Sequence, residues 1–228
     1  MHQPSSATPR PPASVCAPRR SPSRWPALGA SVLVAAALAG CATPAARLAV
    51  YDFGPGATRP LVSNRMALAP LLLSEVEASS ALDSTAVLYR LVYADAQQLR
   101  PYAQARWSMP PAQLLRQRLR ESLGQQRSVL APGDTLAPGT LVLRLELEEF
   151  SQLFASAQSS AGLVRVRATL SRSGSPARLL AQTSFVQQQP GGSADATGGV
   201  QALAQASDAV VLQIAQWLQQ TSAAEPTP

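Results

Sequence analysis

Hydrophobic and polar positions alternate most cleanly in two stretches, Thr140–Phe150 and Gly162–Ser171. In the first, Leu141, Leu143, Leu145 and Leu147 interleave with Val142, Arg144, Glu146 and Glu148. In the second, Val164, Val166, Ala168 and Leu170 interleave with Arg165, Arg167, Thr169 and Ser171. A period of two with one apolar and one polar side predicts strands of an antiparallel sheet covered on one face. Arg178–Gln189 reads as a third, more polar strand, reached through Ser173-Gly174-Ser175-Pro176. Upstream, Leu48–Phe53, Leu68–Ala78, Thr85–Tyr93 and Gln97–Trp107 also read as strands, with turns at Gly54-Pro55-Gly56 and Leu82-Asp83-Ser84. The last of these strands should pair back on its predecessor, and Pro101 makes it an edge or irregular strand.

The period lengthens to 3.6 in two places. After Ser108, a cap residue, Pro110-Pro111 opens a helix that carries Ala112, Leu115, Leu119 and Leu123 on one face, joined by Leu114. Arg116, Arg120 and Arg127 lie elsewhere, and Gly124 is placed to end the helix. The second helix runs from about Val200 to Gln220, with Val200, Leu203, Val210, Ile214 and Trp217 as its stripe. Pro190–Gly199 before it reads as a Gly-rich loop. The predicted fold is α+β, an antiparallel sheet with two main helices packed on one face.

The N-terminal region follows neither period. Residues 1–26 hold seven Pro and four Arg but no acid, then Ala27–Ala39 is almost wholly apolar. Thirteen helical residues span only about 20 Å, short of a bilayer core of roughly 30 Å, so this is a secretory signal peptide. It ends Leu38-Ala39-Gly40-Cys41, which resembles the bacterial lipobox. That resemblance implies cleavage between Gly40 and Cys41, a diacylglycerol on the Cys41 sulfur and acylation of the new N-terminus. The alternative is a chance cysteine after an ordinary signal peptide; position, spacing and flanks all argue against it. Several acyl chains at ~0.8 kcal/mol per buried CH2 anchor lastingly where one is marginal. Ala42 stands where an Asp often retains a lipoprotein at the inner membrane, so the expected location is the periplasmic face of the outer membrane. The chain then divides into a signal peptide (1–40), a lipidated tether (41–47), one domain (48–220) and a disordered tail (221–228).

Composition narrows the chemistry. Of 228 residues, 19 are basic and 13 acidic, and every base is Arg. Four Arg precede residue 41, so the remainder carries 15 Arg against 13 acids, or +2, and nucleic acid is not an expected partner. The one His is His2, in the leader, as is Cys16. With no Lys, no other His and its remaining Cys lipidated, the domain lacks the parts for a triad, a Schiff base or a His metal site, and no disulfide can form. No catalytic residue, metal ligand or cofactor is expected.

Individual candidates read as structural. Tyr89 should pack and Arg90 should pair with an acid on the wet face. Trp107 and Trp217 fit the core better than a lipid-facing role. Glu146 and Glu148 could form a carboxylate pair for hydrolysis, but Arg165 and Arg167 on the next strand make cross-strand ion pairs the stronger reading. Gly191-Gly192-Ser193-Ala194-Asp195 offers Ser and Asp without a His, so it reads as a helix entry capped by Asp195 or Thr197. Gly54-Pro55-Gly56 lacks the third glycine of a dinucleotide loop.

In order along the chain stand four marked stretches: the lipobox with Tyr51-Asp52-Phe53-Gly54; Ala81-Leu82-Asp83 with Val87-Leu88-Tyr89-Arg90; Tyr102 to Trp107 with Pro110 and the Leu-rich helix; and Glu148-Glu149-Phe150 with Gly199-Val200-Gln201-Ala202-Leu203 and Trp217-Leu218. This order resembles the ABC-type transport auxiliary lipoproteins, including the paraquat-inducible protein C type that accompanies MCE-domain lipid transport systems. The proline expected shortly before the Leu82-Asp83 pair is missing. The resemblance implies a non-enzymatic periplasmic subunit that contacts an MCE-domain protein, itself served by an inner-membrane ABC permease and ATPase. The implied cargo is phospholipid or another hydrophobic molecule, and self-assembly into a homo-oligomer is expected. The rival reading is a structural or assembly lipoprotein for an outer-membrane protein complex, which the same build permits.

Overall fold

The structure, a computed structural model, describes residues 47–56 and 68–224. In chain order the elements are β1 (Ala49–Tyr51), β2 (Leu68–Ala78), β3 (Ala86–Leu91), β4 (Asp95–Trp107), α1 (Pro111–Gly124), β5 (Arg127–Leu130), β6 (Leu141–Ser156), β7 (Ser159–Arg172), β8 (Arg178–Pro190) and α2 (Ala196–Ala224). The two alternating stretches form the centre. β6 and β7 pair antiparallel along nearly their whole length, and β8 continues antiparallel beyond β7. The other edge of β6 is shared: β2 runs parallel to Leu141–Leu147 and β3 parallel to Gln152–Phe154. A strand of 16 residues has room for two shorter partners end to end. β5 adds parallel to β2, β4 antiparallel to β3, and β1 parallel to the end of β4.

The α+β class holds, and so does the placing of both helices over one sheet face around a single core. The strand directions are mixed. The long ladders are antiparallel as expected, but β6 meets β2 and β3 parallel. Alternation reports one covered face whatever the direction of the neighbour, whereas parallel neighbours depend on crossovers such as the one from β2 to β5 through α1.

A β-bulge sits in the middle of β6. Leu147 pairs with Val166 and Glu149 with Arg165, leaving Glu148 as the extra residue. The bulge reverses the parity of the strand. Leu143, Leu145 and Leu147 face the helices before it, and Phe150, Gln152 and Phe154 after it, while β7 keeps Val164, Val166, Ala168 and Leu170 on that face throughout.

From α1, Leu115, Leu119 and Leu123 enter the core, and from α2, Leu203, Val210, Ile214 and Leu218 do. Each such fully buried side chain contributes about 1.5–3 kcal/mol relative to exposure. Trp107 is 2% exposed and lies edge-on to Phe53 and Phe150, both at 5.6 Å between centroids.

Several boundaries differ from the expectation. The N-cap of α1 is Pro110, with no side-chain cap, so Ser108 does not fill that role; Gly124 is its last helical residue and Gln125 follows in right-handed geometry. Helix α2 starts at Ala196 rather than Val200 and ends at Ala224 rather than Gln220, so Thr221–Ala224 are helical. The first breaker past its end is Pro226. β5 was not expected, since four residues are too few to show a period. β1 covers β4 only at Ala105–Trp107, so Pro101 stands where β4 has no outer strand among the described residues, as its missing N–H requires.

Candidate functional site

Cys41 and Gly40, the expected lipidation and cleavage residues, lie outside the described residues, as do residues 1–40 as a whole and the tail beyond Ala224. The described chain opens at Arg47, and Leu48 and Val50 are 55% and 62% exposed. Beside β1 an open hollow of about 420 Å³ is lined by Val50–Gly54, Ser108, Val200, Gln201 and Ala204.

The turn after β1 is held by one buried cation. Gly54 has φ +67°, a left-handed value that favours glycine, and its N–H donates to Asp52 Oδ1 at 2.7 Å. Arg118 Nη2, from α1, donates to the carbonyls of Phe53 (2.7 Å) and Gly54 (2.8 Å). Its Nε lies 3.3 Å from Asp208 Oδ1 on α2. Burial raises the Asp208 carboxyl above its ordinary value; Arg118 pulls it back and Glu121 raises it further. One side chain therefore ties β1, α1 and α2 together at the end of the domain that leads to Cys41. Sequence reasoning missed Arg118, although it stands in the apolar stripe at i+3 from Leu115 and i+4 from Leu114.

A second polar cluster lies beneath the start of α2. Gln152 is fully buried. Its Oε1 accepts from Tyr102 Oη at 2.8 Å, and its Nε2 donates to Ser160 Oγ (2.8 Å) and to the Asp195 carbonyl (3.1 Å). Burial, then the neighbouring Tyr89 and Asp195, raises the Tyr102 hydroxyl. A Cβ on Gly199 would collide with Gln152 Oε1, and one on Gly162 would come within 2.6 Å of Leu203 N. The absent side chains let α2 lie directly on β6 and β7. Asp195 Oδ1 accepts from the Gly198 N–H at 2.8 Å and from Ser193 Oγ at 2.7 Å, and these bonds hold its carboxyl below the usual range. Of the two cap candidates, Asp195 thus fills the role. Its loop ends at residue 195, shorter than the expected Pro190–Gly199.

The remaining candidates take structural places, although of the ion pairs expected between Glu146 or Glu148 and Arg165 or Arg167 only Glu148–Arg167 forms among the described residues. Tyr89 packs on Tyr102 (centroids 4.6 Å) and Phe154 (5.9 Å). Arg90 pairs with Glu149 at 3.3 Å. Arg167 pairs with Glu148, the bulge residue, while Arg165 stands opposite Glu149 in the ladder. Trp107 is in the core, and half-buried Trp217 meets Phe185 edge-on at 5.9 Å. Ser193, Asp195, Glu146 and Glu148 are not brought together: Asp195 caps a helix with Ser193 bonded to its carboxylate, and the glutamates sit on the opposite sheet face. These arrangements position elements and present polar surface. Among the described residues no group of three or more His, Cys, Asp or Glu could hold a metal, and no helix is long and apolar enough to cross a membrane.

Comparison with known proteins bears on the whole scaffold. The family model described as the ABC-type transport auxiliary lipoprotein component matches residues 51–215, from the end of β1 through most of α2. The crystal structure of protein XCC0632 from Xanthomonas campestris, of family DUF330, superposes with a TM-score of 0.59 at 20% identity, covering 78% of this chain and 90% of that one. A second crystal structure, of a protein described only as uncharacterized, gives 0.56 at 16% identity, covering 75% and 99%. At these identities the two structures establish a shared fold. No curated protein matches the chain.

Proposed function

The chain belongs to the ABC-type transport auxiliary lipoprotein family, and from that premise we propose that it is a lipid-anchored accessory subunit on the periplasmic face of the outer membrane, serving an MCE-type ABC transport system. The observation that carries this reading is the family match itself, which spans the helix-covered sheet almost end to end. The lipobox cysteine in front of it supports the anchor. Five residues separate Cys41 from Arg47, and the six steps between them, at ~3.3–3.6 Å per residue, reach at most about 20 Å. The domain therefore works close to the bilayer, with the Arg118-braced turn at its near end. The subunit acts by protein–protein contact and not by catalysis. Its partners are an MCE-domain protein and, through it, the permease and ATPase, and the cargo is phospholipid or another hydrophobic molecule.

Affinity capture of the tagged protein from envelopes solubilised in mild detergent tests this. Recovery of the MCE protein with its permease is the expected result. Recovery of an outer-membrane barrel or secretion component without either of them would instead support the assembly-lipoprotein reading.

A further inference from the structure

A cleft at the opposite end of α1 holds a cation that no acid neutralises among the described residues. Arg127, the first residue of β5, is 7% exposed, and its Nε is buried without a hydrogen-bond partner. The guanidinium lines an open cleft of about 420 Å³, together with Arg120, Gln126, Ser128, Leu68 and Val129. Among the described residues no acid lines the cleft. Neither Arg120 nor Arg127 makes an ion pair among the described residues. Gln126 Oε1 already accepts from Gln219 Nε2 at 2.7 Å.

Burying an unpaired guanidinium is costly unless an anion compensates it. Burial alone accounts for the lowered affinity of Arg127 for its proton. The other deeply buried arginine among the described residues, Arg118, also leaves one nitrogen, Nη1, unpartnered, but its charge meets two carbonyls and Asp208, whereas Arg127 has neither. We propose that the cleft binds a phosphate group, held by the guanidinium groups of Arg127 and Arg120 with the Ser128 hydroxyl as a further donor. Donors on several walls suit a tetrahedral group with three or more acceptor oxygens better than a planar carboxylate. Leu68 and Val129 leave an apolar wall for a substituent, so a phosphodiester headgroup fits as well as free phosphate. This inference does not rest on the transport reading, which stands or falls separately.

The test is calorimetric titration of the full processed protein, in non-ionic detergent at constant ionic strength, with inorganic phosphate and with dihexanoyl phosphatidylglycerol below its micellar concentration. Saturable binding of one or both is expected. Tighter binding of the lipid identifies a headgroup site, and binding of inorganic phosphate alone identifies a free-phosphate site. Arg127→Met should weaken binding on the order of tenfold or more and Arg120→Gln about threefold, in line with charge-assisted hydrogen bonds. If Arg127→Met does not fold, Arg120→Gln combined with Ser128→Ala decides the matter. Two results would overturn the proposal: no saturable binding of either probe, or binding unchanged in these variants.

Discussion

Replacing Arg118 by Met removes the guanidinium and keeps most of the stem volume. The loss comprises two charge-assisted hydrogen bonds, to the carbonyls of Phe53 and Gly54, and one ion pair with Asp208. Hydrogen bonds to a charged group are worth about 1.5–3 kcal/mol each. The Gly54 carbonyl belongs to an exposed residue and regains water, so the upper end of that range does not apply to both. The Asp208 side chain is 45% exposed, which limits the ion pair to about 0.5–1 kcal/mol. Together these give a destabilisation of about 2–4 kcal/mol, or a fall in Tm of roughly 5–15 °C for a domain of this size. Urea denaturation of the detergent-solubilised protein, followed by tryptophan fluorescence, measures it, since Trp107 lies against Phe53. Asp208→Asn in parallel should cost no more than about 1 kcal/mol. An Arg118→Met protein within ~0.5 kcal/mol of the parent would refute the clamp. So would an Asp208→Asn variant as unstable as Arg118→Met.

Other predictions follow from the same contacts. Gly199→Ala should destabilise by about 1–3 kcal/mol through overlap with Gln152, reversing the gain of up to ~1 kcal/mol that this change brings in an open helix; thermal unfolding reads the sign. Asp195→Ala should cost about 1 kcal/mol as a lost cap and Asp195→Asn far less. Because the folded Asp195 carboxyl lies below its unfolded value, its stabilisation is present above the unfolded value and is lost as pH falls through the folded one; acid titration of stability should show this in the parent but not in Asp195→Asn. Asp208 has the opposite sign. Its folded value is raised, so stability declines as pH rises from the unfolded value through the folded one, and Asp208→Asn should remove that decline. Glu148→Gln should change stability by less than about 1 kcal/mol, since Arg167 is half exposed.

The sheet was legible where alternation was unbroken, as in β7. In β6 the core-facing positions are odd through Leu147 and even from Phe150 onward, a switch that one extra residue absorbs; the letters blur it, since Val142, Gln152 and Leu153 break the alternation. Strand direction was not legible, because a covered face looks the same beside parallel and antiparallel neighbours. The start of α2 was hidden by Gly198 and Gly199, which argue for a loop on propensity alone; contact with Gln152 overrides that preference, and only the fold supplies it. Arg118 was readable as a charge inside an apolar stripe, but its partners come from β1 and α2, far away in sequence. Arg127 carried no signal at all, since four residues of strand show no face. The sites with chemical appeal in one dimension, Ser193 with Asp195 and Glu146 with Glu148, resolve into a helix cap and a solvated sheet face.

The account turns on Cys41 fastening this scaffold to a membrane. Mass spectrometry of the N-terminal peptide, taken from protein purified out of the cell envelope, examines that directly. The account predicts a chain that begins at Cys41, with a diacylglycerol thioether on its sulfur and an acylated amine. A chain that retains residues before Cys41, or begins there with a free thiol and stays in the soluble periplasmic fraction, would contradict it.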